Sequence, residues 1–83
     1  MPLYFFHIID GEFLVDSEGT ECSSMADVRS QAIHTAGVMM ADRCERFVNG
    51  QEWQMHVTDE TKKTVFKVRF SAEQPGPYFD PTK

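Results

Sequence analysis

Residues 3–9, Leu-Tyr-Phe-Phe-His-Ile-Ile, constrain the fold more than any other stretch. Aromatic and β-branched side chains dominate them, which predicts a β-strand. Alternate residues of a strand point to opposite sides, so Tyr4, Phe6 and Ile8 share one face and Leu3, Phe5 and Ile9 share the other. A strand apolar on both faces belongs inside a sheet, or needs its second face covered. The chain that must do this has 83 residues. That is one small domain, able to bury roughly 60–65% of its unfolded surface around one thin core.

The rest of the chain supplies the partners. Asp10-Gly11 is a hairpin turn signal, and a shorter strand is expected at about Glu12–Val15. Residues 16–20, Asp-Ser-Glu-Gly-Thr, read as loop. Ser24 and Asp27 form a near relative of a capping box and open a helix expected to run to Phe47. Its apolar side carries Val28, Ala32, Ile33, Ala36, Met39, Met40 and Phe47. Arg43 and Arg46 suit the negative end of the helix dipole, and Asn49-Gly50 supplies a stop. Gly37 is a weak point that would allow a neighbouring element to approach closely.

Residues 52–58 then alternate cleanly, with Trp53, Met55 and Val57 on one side and Gln54, His56 and Thr58 on the other. After a polar turn, Val65–Phe70 alternates again, with Phe66, Val68 and Phe70 opposite Val65, Lys67 and Arg69. From Ser71 onward the prolines forbid regular structure and predict a flexible tail over 71–83. The expected fold is α+β: a β-β-α-β-β sandwich with one amphipathic helix on one face of a four-stranded, mainly antiparallel sheet formed by residues 1–70. One helix covers one face. The other face is left open, carrying His56, Lys67, Arg69 and one side of the first strand.

Composition narrows the function classes. The chain is 41% hydrophobic and 25% charged, which suits a folded domain rather than a disordered one. No apolar run approaches the roughly 18–20 residues of a membrane span, and the start lacks a signal-peptide pattern. With two cysteines, Cys22 and Cys44, and no disulfide framework, the expected setting is cytoplasmic. The net charge of −5 argues against non-specific nucleic-acid binding. That charge is uneven: residues 1–28 hold six acids and no Lys or Arg, while residues 29–83 hold eight bases and seven acids.

The run Tyr4-Phe5-Phe6-His7, then Asp10-Gly11, Asp16-Ser17-Glu18-Gly19, an Ala-rich helix and the Val57-Thr58-Asp59-Glu60 turn resembles a family of small bacterial domains of unknown function. That family is frequent in rhizobia and related alphaproteobacteria. The resemblance spans about residues 1–70 and implies a fold, with no established activity attached. Met39, Met40 and Cys44 depart from the Ala-, Glu- and Arg-rich helix typical of the family.

Few residues stand out for chemistry. His7 precedes Asp10-Gly11 and would serve as a general base or metal ligand, with His56 and Asp10 as companions. The plainer reading is a strand histidine hydrogen-bonded to a neighbour. The histidines lack metal-ligand spacing in sequence. Cys22, just before the helix, would have a lowered thiol pKa there, or be an ordinary free cysteine. A helix of this length separates it from Cys44 by about 30 Å, beyond disulfide range. The acids Asp10, Glu12, Asp16, Glu18 and Glu21 do not match a calcium-binding loop. Lys62, Lys63, Lys67 and Arg69 form a basic patch without the aromatic pattern of an RNA-binding sheet. No nucleophile, base and orienting group can be assembled, so neither an enzyme nor a cofactor is expected.

The expected function is therefore an interaction domain. It would self-associate as a homodimer or bind a protein partner through the open sheet face, using Tyr4, Phe6, His7, His56, Lys67 and Arg69. The alternative is a small-ligand or metal-binding protein using His7, His56 and nearby acids, which requires the two imidazoles to converge.

Overall fold

The computed structural model describes residues 2–43, 52–72 and 81–82. Strand β1 spans Leu3–Ile9, β2 Phe13–Leu14, β3 Thr20–Glu21, helix α1 Met25–Asp42, β4 Glu52–Thr58 and β5 Thr64–Ser71. The sheet order is β2-β1-β4-β5, with β3 also pairing with β1, and every pairing is antiparallel. The α+β architecture is the expected one, and the doubly apolar β1 lies in the sheet interior as its composition requires.

The outer neighbour of β1 is broken, which the sequence did not suggest. Leu14 and Phe13 pair with Ile8 and Ile9, and Thr20 and Glu21 pair with Tyr4 and Leu3. Between these two short pieces the chain leaves the ladder over residues 15–19. The expected strand Glu12–Val15 is thus reduced to two residues, and the expected loop ends in the added strand β3. Gly11, at φ +76°, makes the β1–β2 turn.

The helix starts as its sequence dictates. Ser24 Oγ accepts the Asp27 N–H at 3.1 Å, while Asp27 Oδ2 accepts the Ser23 N–H at 2.9 Å. One of the orphan donors at this end, the Asp27 N–H, is thereby satisfied, and the Ser23 N–H just outside the helix is held as well. Val28, Ala32, Ala36 and Met40 form the buried stripe, four residues apart, against Trp53, Met55 and Val57 of β4. The small alanines let the helix sit close over the fully buried Trp53, whose indole N–H has no hydrogen-bond partner among the described residues. Tyr4, Phe6, Phe66 and Val68 pack around this core.

Several expectations are corrected here. Ile33 lies at the margin of the stripe and is 60% exposed. Gly37 is exposed, and among the described residues nothing lies within 4 Å of a Cβ added there. Phe70 is only partly covered by the helix. A register shift at Val57/Thr58 turns Val65 toward the core, where simple alternation put it on the open face. Arg43 is the helix C-cap and reaches Asp10, with Nε 3.6 Å from Oδ2. The expected helix end at Phe47, with Cys44, Arg46 and Asn49-Gly50, lies outside the described residues. So do 73–80 of the expected tail, while Ser71 closes β5. Among the described residues no helix is long and apolar enough to cross a membrane.

Candidate functional site

The register of β1, β4 and β5 lays out the face opposite the helix as three rows. Phe5, Thr58 and Thr64 form the first, His7, His56 and Lys67 the second, and Ile9, Gln54 and Arg69 the third. Parity decides which side of β1 this is. Ile8 is buried under the helix, with Tyr4 and Phe6 packed beside it, so Phe5, His7 and Ile9 face outward. The expected contact set is therefore divided. His7, His56, Lys67 and Arg69 share the open face, whereas Tyr4 and Phe6 belong to the helix side. Both sides of β1 are apolar, so sequence alternation alone could not choose between them.

The two histidines are direct cross-strand neighbours on one face, but their bonded nitrogens engage different residues, His7 Nε2 with Thr58 and His56 Nε2 with Gln54. Asp10 does not join them, because its carboxylate lies against Arg43. His7 is held at both nitrogens. The Asp16 N–H donates to Nδ1 at 3.1 Å, and Nε2 lies 3.0 Å from Thr58 Oγ1. An amide N–H can only donate, so Nδ1 accepts and the ring proton sits on Nε2, donated to Thr58. Phe5 stacks along the same strand on His7, with ring centroids 6.4 Å apart and planes 11° apart. His56 Nε2 is 2.8 Å from Gln54 Oε1. Burial pushes the His56 pKa down, and Lys67, His7 and Arg69 push it the same way.

Asp16 organises the broken edge, a role not foreseen from sequence. Its Oδ2 accepts the Phe6 N–H at 3.1 Å, replacing the strand partner that β1 lacks there. Its Oδ1 accepts the Glu18 and Gly19 N–H groups at 3.0 and 3.1 Å. Burial raises its pKa, but these three backbone bonds and nearby His7 outweigh burial and hold it below the usual carboxylate range. Gly19, at φ +78°, packs so tightly on Phe5 that an added Cβ would stand 2.9 Å from the ring. The Asp-Ser-Glu-Gly spacing was the available signal: an Asp whose oxygens reach backbone N–H groups two and three residues on, followed by the residue type suited to positive φ.

Two shallow clefts flank His7. One, of about 210 Å³, lies between Phe5, Val15, Asp16 and the Thr58–Lys62 turn. The other, of about 290 Å³, is lined by Ile9, Phe13, Val15, His56 and Thr64. Phe13 and Val15 stand at their rims, 76% and 71% exposed. Asp59 organises the neighbouring turn by accepting from Thr61 and Lys63, and it allows Lys62 to adopt φ +72°. Cys22 is no reactive thiol: it is fully buried, and burial followed by Asp27 pushes its pKa up, against the lowering expected near a helix N-terminus. Among the described residues no three His, Cys, Asp or Glu side chains are grouped to hold a metal.

No curated protein and no solved structure matches this chain. A family model does, from the first residue of β1 to the last of β5: over residues 3–71 it matches the domain of unknown function DUF6894, and the chain belongs to that family.

Proposed function

We propose that this domain self-associates, one copy meeting another through the open sheet face. The observation that carries the reading is the uncovered apolar strip of Phe5, Ile9, Phe13 and Val15 around His7. Charge favours a second copy as the occupant. Asp16, Asp59 and Glu60, with Lys62 among them, border the Phe5 corner of the face, and Lys67 and Arg69, the latter paired with Glu52, extend toward the opposite corner. A two-fold axis lying in the face along its other diagonal brings each acidic corner onto a basic one, the self-complementarity a symmetric dimer requires. A cytoplasmic setting suits the free thiol of Cys22.

Sedimentation equilibrium on the full chain tests this directly. The wild type is expected to reach a reversible dimer within the micromolar range, and Val15→Asp to remain monomeric with an unchanged circular dichroism spectrum. A wild-type monomer at high micromolar concentration overturns the proposal. A dimer that survives Val15→Asp moves the contact off this face.

The adjacency of the two imidazoles supports a second reading, a metal or small-ligand site at His7 and His56. Both nitrogens of His7 are already engaged, so a metal must displace either the Asp16 N–H or Thr58. Titration with Zn²⁺ followed by NMR supports this reading if both rings shift together and saturably. It fails if His56 alone responds.

A further inference from the structure

We infer that His56 is a proton-operated release for the proposed dimer, weakening it as the solution turns acidic. The inference rests on the self-association described above and adds its regulation. It begins from position. His56 is the middle residue of the middle row, with Thr58 and Gln54 beside it on its own strand and His7 and Lys67 across the ladders. Any two-fold axis lying in the face and centred on these rows places the two copies of His56 against each other.

The surroundings of that centre are one-sided in charge. From β5 it faces Lys67 and, diagonally, Arg69; from β1 it faces His7. On its own strand Gln54 is neutral, and Glu52 lies 3.5 Å from Arg69, partly neutralising that cation. Asp16 stands beyond His7 and donates its N–H to that ring. The other side chains of the adjoining cleft, Ile9, Phe13, Val15, Thr58 and Thr64, are uncharged. A proton on His56 therefore adds a cation to a site already holding Lys67 and Arg69, with no carboxylate at its centre. Closing the face over it removes the water that would solvate the charge, and the second copy brings a second proton to the same place. The depressed pKa in the free domain, from burial and then Lys67, shows the same field acting before any partner arrives.

The signs follow. If both copies of His56 must be neutral in the dimer, acidification below the pKa of His56 in the free domain weakens association by up to about tenfold per pH unit for each ring, or about a hundredfold for the pair. Above that pKa the dissociation constant is flat.

The test is sedimentation equilibrium at pH 7.5 and at successively lower pH on the wild type, His56→Gln and His56→Arg, with circular dichroism confirming the fold at each point. Expected is a wild-type dimer that weakens at least tenfold on acidification, a His56→Gln dimer indifferent to pH, and His56→Arg monomeric throughout. A wild-type dimer equally tight at low pH overturns the inference and leaves self-association standing. A His56→Gln dimer that weakens as the wild type does also overturns it, since the sensor then lies elsewhere. A wild-type monomer at pH 7.5 overturns self-association and the release mechanism together.

Discussion

Asp16 uses its carboxylate and its own N–H to hold four groups: the N–H donors of Phe6, Glu18 and Gly19, and Nδ1 of His7. Replacing it with Asn keeps the size, but the amide nitrogen cannot accept where a carboxylate oxygen did. At least one backbone N–H then loses its acceptor, at a cost of about 1–3 kcal/mol. Urea denaturation at neutral pH should show Asp16→Asn destabilised by that order. The acid side gives a second readout. The folded pKa of Asp16 lies below its unfolded value, so its contribution is complete above pH 3.8 and fades as pH falls through the folded pKa. The gap between wild type and Asp16→Asn should therefore narrow below pH 3.8 and stay constant above it. A gap independent of pH would mean that Asp16 acts through shape alone. At this scale the sequence was only partly legible. His7 stood out by its chemistry, but its partners Asp16 and Thr58 are nine and fifty-one positions away, and only the folded sheet brings them to the same ring.

Helix α1 and the edge of β1 show opposite degrees of legibility. The start of the helix could be read from Ser24 and Asp27 because a cap is a local bargain between side chain and backbone, complete within a few residues. The stripe of Val28, Ala32, Ala36 and Met40 followed from periodicity. What periodicity could not settle was the margin of the stripe, where Ile33 is left outside. The broken edge was illegible for a different reason. Two-residue strands such as β2 and β3 carry too few side chains to alternate, and their pairing is fixed by Asp16 reaching β1 from outside the ladder. Gly37 marks an element-scale consequence. It is helical, solvent-facing, and an added Cβ there meets nothing within 4 Å. Its conformational cost is therefore uncompensated by any contact among the described residues. Gly37→Ala should stabilise the domain by about 1 kcal/mol, seen as a higher urea midpoint with an unchanged slope. A neutral or negative result would show that the helix outer face is engaged in solution.

At the scale of the whole molecule, net charge describes this chain poorly. Residues 1–28 carry six acids without a compensating Lys or Arg, and the remaining fifty-five carry eight bases and seven acids. Folding brings these segments together, with Arg43 meeting Asp10 across the helix–sheet junction, while Arg69 meets Glu52 within the second segment. The remaining asymmetry lies across the open face, where the turn side with Asp16, Asp59 and Glu60 and the β5 side with Lys67 and Arg69 flank an apolar strip around His7 and His56. Two forces then act on a second copy. Apolar burial is insensitive to moderate salt, whereas the attraction between exposed corners decays over a screening length of about 10 Å at 0.1 M and about 3 Å at 1 M. If the corners interlock as the two-fold arrangement requires, raising sodium chloride across that range should weaken the dimer several-fold at pH 7.5. Arg69→Glu should weaken it at low salt and leave it nearly indifferent to added salt. Association that instead strengthens with salt in the wild type would identify the apolar strip as the sole adhesive. The charge division along the chain would then serve only to join the two halves of one sheet.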